Sequence, residues 1–537
     1  MVRTMLRLGA VVVLLAASTG PVSAADAGTA SAVVRTEAGD VRGIADGARR
    51  AFLGVPYAAP PVGALRWRAP EPARAWTGVR DATRPGSSCP QLGVPGAPGQ
   101  VPSTDEDCLH LNVETPRAPG RDRPVLVFVH GGSGISGAGS LYPAATLAER
   151  TGTVVVTVNY RLGALGHLAL PDLRAEAPAL NYALQDQQAA LRWVHRNIAA
   201  FGGDASRVTL AGESAGGQAT CAHLTSPGSA GLFHRAVVMS GACDLSYLPA
   251  EPERAFAISG KYAADVGCPD GPGRLACLRA KPVADLLGTA PPAGDGPAAA
   301  IPGWPLVYDD AVVPGNPLDL LKKGRGARVP VMVGVTRDEG RMLTAVQFQA
   351  VTGRAVTEEE YQRLLTSAFG PLAFVLGGVY SSRGYGSPEK ALAALYTDTL
   401  FACPAAKIAA TLAPRTPTYA YRFSDRDAPN WYIPVTNVDL GAYHAGELPY
   451  LFDIPTERPF TASQRALSHR MMDHWASFAA TGSPGGPAPW PRYDLLTTPY
   501  KDLLPGPGTE VLRLGAYQTS HNCLLWDVFG ALGSLTG

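Results

Sequence analysis

The sequence predicts an α/β fold in which helices cover both faces of a mostly parallel sheet. Strand-like runs alternate with helical patterns along the chain. Several of those runs are apolar without interruption, as a strand buried on both sides has to be. No internal repeat and no dividing linker breaks up the 537 residues, so a single domain is expected over 25–537 even though length alone would suggest about three.

Taken in order, residues 1–24 have the layout of a secretory leader. Arg3 and Arg7 precede the apolar core Leu8 to Ala17, and Val22-Ser23-Ala24 offers small residues for cleavage. The apolar core is too short to span a bilayer comfortably, so export without a stable membrane anchor is expected. Pro124 to Val129 and Thr153 to Val158 read as buried strands. Asn181 to Phe201 has one apolar face, carrying Leu184, Leu191, Val194 and Ile198, and stops at Gly202-Gly203. Arg207 to Ala211 is a short strand, with a helix opening near Gly217. Arg328 to Val335 and Thr418 to Phe423 are further strands, and Thr461 to Ala480 is a long amphipathic helix with Leu467, Met471, Trp475 and Phe478 on one side. Pro249 to Leu287 and Thr357 to Leu395 look helical without strand partners and are expected to be cap insertions over the sheet. Pro90 to Ser103 and Ala290 to Gly303, rich in Gly and Pro, read as surface loops.

Forty-six Lys and Arg balance 45 Asp and Glu, and no basic block is present, which argues against nucleic acid as a partner. Eight cysteines in an exported chain imply disulfides. Cys89 with Cys108 and Cys268 with Cys277 would each close a short loop, but spacing alone does not pair the eight.

The most informative stretch is Gly212-Glu213-Ser214-Ala215-Gly216, a G-x-S-x-G sequence between a strand and a helix. In that setting the serine sits on a strained turn with its hydroxyl lifted above the sheet edge, as a nucleophile requires. A serine hydroxyl needs a base within reach, and the base needs an orienting acid. The acid and then the base are expected further along the chain, in loops at the carboxyl ends of strands. Thr336-Arg337-Asp338-Glu339-Gly340 directly follows a strand, and either Asp338 or Glu339 could serve. Of the histidines after it, His469 and His474 fall inside a helix and His521 lies beside Cys523. His444, in a glycine-flanked loop, is the preferred base. Val129-His130-Gly131-Gly132-Ser133-Gly134 ends a strand in a glycine-rich turn able to present backbone N–H groups to an oxyanion, with the N–H of Ala215 as a further donor. A phosphate loop would need a Gly-Lys-Ser/Thr ending, which this turn lacks.

From about Ala32 to its end the chain resembles the type-B carboxylesterases, a group of α/β-hydrolase fold that includes cholinesterases and the non-catalytic neuroligins. The resemblance rests on Phe52-Leu53-Gly54-Val55-Pro56-Tyr57-Ala58, Glu106-Asp107-Cys108-Leu109-His110-Leu111-Asn112-Val113, Asn159-Tyr160-Arg161-Leu162, Phe201-Gly202-Gly203-Asp204 and the Ser214 motif. It implies a serine esterase acting on a small-molecule ester and water, with no cofactor or metal. Carried over to this chain, the acid falls on Glu339, the base on His444 and the oxyanion donors on Gly132, Ser133 and Ala215. The implied disulfides are Cys89–Cys108, Cys268–Cys277 and Cys403–Cys523, which leaves Cys221 and Cys243 either free or paired with each other. Ser133 stands where the family commonly has glycine or alanine. The loop between Cys89 and Cys108 contains no tryptophan, so the cation–π face expected of a cholinesterase is missing. A binding module that keeps the fold but loses the serine is disfavoured by the filled triad positions. A carbamate or amide as the scissile bond stays open.

Overall fold

The computed structural model describes residues 30–536 apart from short interior stretches, the longest being 94–101, 245–249, 290–302 and 432–437. Residues 1–24, expected to be a leader, and most of both expected surface loops lie outside the described residues.

Among the described residues, thirteen strands form one sheet. They are β1 (Ala30–Arg35), β2 (Asp40–Ala45), β3 (Arg50–Pro56), β4 (Val79–Asp81), β5 (His110–Thr115), β6 (Arg123–Val129), β7 (Val154–Val158), β8 (Gly203–Glu213), β9 (Arg235–Met239), β10 (Val331–Thr336), β11 (Thr418–Phe423), β12 (Tyr500–Leu503) and β13 (Val511–Leu512). The order is β1-β2-β3-β5-β7-β6-β8-β9-β10-β11-β12-β13, with β4 attached to β2. From β7 through β12 every neighbouring pair is parallel. The antiparallel pairs β1–β2, β2–β3, β3–β5 and β5–β7 extend one side, and β13 closes the other.

The uninterrupted apolar runs are explained by where alternate side chains go. Val125, Val127, Val129, Val154, Val156 and Val158 point into one core. Leu126, Phe128 and Val155, one residue out of phase, point into a second core. Both faces are therefore covered, as a parallel sheet requires. The helix Tyr182–Asn197 packs Leu184, Leu191 and Val194 into the first core. The helix Ala462–Thr481 packs Leu467, Met471, Trp475 and Phe478 into the second. The second helix starts at a capping box, in which Thr461 and Gln464 satisfy each other's backbone N–H, and stops at Gly482 in the left-handed region. The expected helix from Asn181 to Phe201 divides at its end into a 3-10 turn, Ile198–Phe201, before Gly202. Among the described residues no helix is long and apolar enough to cross a membrane.

All eight cysteines are bridged, as Cys89–Cys108, Cys221–Cys243, Cys268–Cys277 and Cys403–Cys523. Cys221 lies on the helix Ala215–Thr225 and Cys243 lies beyond β9, both completely buried. Their bridge spans 22 residues, a loop whose closure restricts the unfolded chain by roughly 3 kcal/mol. Replacing both by alanine is expected to lower the thermal unfolding midpoint by a few degrees, with an unchanged midpoint as the contrary result.

Candidate active site

Because β6, β8, β9, β10 and β11 run parallel, their carboxyl ends open on one edge of the sheet. At the end of β8, Ser214 takes φ 56° and ψ −119°, a conformation rarely adopted by side-chain-bearing residues, and the helix Ala215–Thr225 starts immediately after it. The turn is possible because glycines flank it. A Cβ on Gly212 would lie 2.1 Å from the Gly216 carbonyl oxygen, and one on Gly216 would lie 2.1 Å from that of Val129. The Ser214 N–H donates to the Met239 carbonyl at 2.9 Å, fastening the turn to β9.

Beyond β6, Gly132 and Ser133 both have positive φ, 103° and 55°. The Gly132 carbonyl accepts from the N–H groups of Ile135 at 2.9 Å and Ser136 at 3.1 Å, which fixes the loop. Ala215, the first residue of its helix, has no intrahelical acceptor for its N–H. His130 is held neutral, its pKa pushed down to about 4 by burial. Its Nδ1 donates to the Gly131 carbonyl, and its ring stacks on Tyr160 at 4.4 Å.

After β10 the two adjacent carboxylates face opposite ways. Glu339 is completely buried and places Oε2 2.6 Å from His444 Nδ1. Its Oε1 accepts from the Ser240 hydroxyl at 2.6 Å and from the Thr336 N–H at 2.7 Å. Asp338 is taken up by the Arg426 guanidinium at 2.9 and 2.6 Å and by the Ala442 N–H at 3.0 Å. Burial works against ionising Asp338, but Arg426 and Arg341 outweigh it and keep its carboxyl below the usual range. Asp338 thus binds the loop that carries His444 to the turn that carries Glu339.

Glu213, inside the serine motif, was not singled out in the sequence as a functional group. Its Oε1 lies 3.2 Å from His444 Nε2, so both imidazole nitrogens face carboxylates. Burial alone pulls the His444 pKa down; Glu213 and Glu339 outweigh it and lift the value to about 9. Burial lifts Glu213 to about 7, against the pull of His444. Glu447, three residues past the histidine, is also completely buried, and burial together with the two other carboxylates pushes its pKa well up.

Gly132, Ser133, Glu213, Ser214 and His444 line one cleft together with Tyr142, Met342, Leu343, Phe401 and Trp431. The Phe401 ring lies 4.8 Å from that of His444. The other late histidines are elsewhere. His469 is exposed, His474 is buried with Nδ1 donating to the Pro484 carbonyl, and His521 pairs with Asp398 at 3.0 Å.

The profile of the carboxylesterase family matches residues 30–513. The chain belongs to the carboxylesterase family. The para-nitrobenzyl esterase of Bacillus subtilis (strain 168) is 35% identical to it over 477 residues, covering 86% of this chain and 92% of that protein. The cocaine esterase of Oryctolagus cuniculus is 34% identical over 500 residues, covering 87% and 91%. A solved PNB esterase superimposes with a TM-score of 0.74 at 32% identity, covering 92% of this carboxylesterase and 99% of that chain. A thermophilic PNB esterase gives 0.76 at 31%, with the same coverage. These neighbours make the fold an α/β-hydrolase fold, in agreement with the parallel sheet described above.

Proposed function

We propose that this carboxylesterase cleaves esters in two steps with a Ser214–His444–Glu339 triad. The observation that carries the reading is the 2.6 Å contact of Glu339 with His444 Nδ1 behind a cleft lined by both His444 and the strained Ser214. With Nδ1–H directed at Glu339, Nε2 is the nitrogen left to act as base. As Ser214 Oγ attacks the ester carbonyl carbon, Nε2 takes the hydroxyl proton and the carbonyl electron pair moves to oxygen. The N–H groups of Gly132, Ser133 and Ala215 hold that oxyanion. Its collapse breaks the bond to the alcohol oxygen, which receives the proton from Nε2 and leaves an acyl-Ser214 ester. Water, deprotonated by Nε2, then releases the acid and restores Ser214.

Hydrolysis of p-nitrophenyl esters from acetate to palmitate, with Ser214→Ala as the blank, tests this reading. Serine-dependent cleavage with a short-chain maximum is expected of a carboxylesterase, and a long-chain maximum would move the assignment to a lipase. The names of the relatives, para-nitrobenzyl esterase and cocaine esterase, support an ester as the bond cleaved. Export is proposed as well, supported by the leader-like residues 1–24 and by four disulfides.

The pH dependence follows from the carboxylates. His444 must be unprotonated to accept the serine proton, so kcat/KM rises as its proton is lost. Glu213→Gln removes a negative charge next to Nε2, which lowers the His444 pKa. The rising limb of the kcat/KM profile should therefore move to lower pH, and a limb that does not move argues against Glu213 acting on the base.

A further inference from the structure

The helix after Pro388 does not run regularly to Leu412. It winds as an α-helix over Pro388–Tyr396, as a π-helix over Thr397–Ala402 and again as an α-helix over Cys403–Leu412. A π turn holds more residues per turn, so residues three apart such as Asp398 and Phe401 point to more widely separated faces than they would in an α-helix. The structure uses that separation.

On one face, the Thr397 hydroxyl accepts from the Gly340 N–H at 2.9 Å, next to Glu339, and Phe401 lies against the His444 ring while lining the cleft. On the other face, Asp398 is buried and accepts from three donors. These are His521 Nδ1 at 3.0 Å, Asn522 Nδ2 at 3.0 Å and the Tyr380 hydroxyl at 2.7 Å. Directly after the turn, Cys403 is bridged to Cys523. The bridge alone would tether the C-terminal segment. A buried carboxylate paired with a histidine is an expensive addition to it, and what it adds is a fixed rotation of the turn that bears on His444.

We propose that Asp398 and His521 are positioning residues, which lock the π turn from behind so that Phe401 holds the His444 ring in its productive orientation. This rests on the triad reading above, and the closing experiment keeps the two separable.

The experiment measures kcat and KM on a short-chain p-nitrophenyl ester for His521→Ala, His521→Gln, Phe401→Leu and the double variant His521→Ala/Phe401→Leu. Rates are expressed per site titrated by a serine-reactive phosphonate, so unfolded protein does not count. His521→Ala should lower kcat by roughly tenfold with KM nearly unchanged, because a slightly misplaced base slows chemistry and not binding. His521→Gln, whose amide can still donate to Asp398, should recover most of that loss. The double variant should fall short of the product of the two single effects, since both act through one element. If His521→Ala yields no folded protein, Tyr380→Phe withdraws one donor from Asp398 with little change in volume and should lower kcat per site in the same direction. An unchanged kcat per titrated site in His521→Ala or Tyr380→Phe would overturn the proposal, as would multiplicative effects in the double variant. Ser214→Ala, run alongside, reports on the triad separately: activity or titration that survives there defeats the triad reading, whatever the other variants do.

Discussion

Ser214→Ala is expected to lower kcat by roughly 10⁶-fold, leaving the residual rate that an oxyanion hole and substrate binding supply without a nucleophile. The loss should be one of chemistry alone. The backbone of the turn is held by the Ser214 N–H on Met239 and by the glycines at 212 and 216, none of which the substitution touches. Alanine at φ 56° is strained much as serine is, so the thermal midpoint should stay close to that of the parent. Turnover of p-nitrophenyl acetate and a thermal melt on the same preparation check both halves. A surviving rate would displace Ser214 from the reaction, whereas a collapsed melt would mean that the hydroxyl has a structural role the hydrogen bonding does not reveal.

Glu339→Gln should lower kcat less, by about 10⁴-fold, through the tautomer of the base. Glu339 Oε1 is fixed as an acceptor by the Thr336 N–H and the Ser240 hydroxyl. A glutamine at this position keeps its carbonyl oxygen there, which turns its NH₂ toward His444 Nδ1. Nδ1 then has to accept, the ring proton moves to Nε2, and Nε2 can no longer take the proton of Ser214. Asp338→Asn makes the informative comparison, since Asp338 binds Arg426 and Ala442 instead of the imidazole. If the asparagine variant lost as much kcat as the glutamine variant, Glu339 could not be singled out as the orienting acid.

The central strands were legible because the residues of β6, β7 and β10 are apolar on both faces, and no other element leaves so plain a trace. β9 escaped notice, being five residues that open on a half-buried arginine and come after the helix that follows Ser214. The antiparallel strands β1 to β3 carry too many exposed and half-buried positions to read as core. The Ser214 turn could be read because its geometry admits only glycine at positions 212 and 216. The choice between Asp338 and Glu339 could not be made from local residues. It depends on which of them meets Arg426, 88 residues away, and which meets His444, 105 residues away. Glu213 lay in full view inside the motif, but its approach to His444 depends on a loop more than two hundred residues downstream. The Cys221–Cys243 bridge depends on how the helix after Ser214 packs beside the end of β9, which no spacing rule supplies.

With all eight cysteines bridged, the native protein has no thiol to alkylate. Iodoacetamide or a mercurial has no sulfhydryl to attack, and inhibition by either would report unfolded or partly reduced material. The same feature makes production demanding. Eight reduced cysteines can pair in on the order of a hundred ways, and Cys108, Cys221 and Cys243 are completely buried, out of reach of late correction. Active enzyme should therefore depend on an oxidising compartment or a glutathione-buffered refold in which the bridges form while the core is still open.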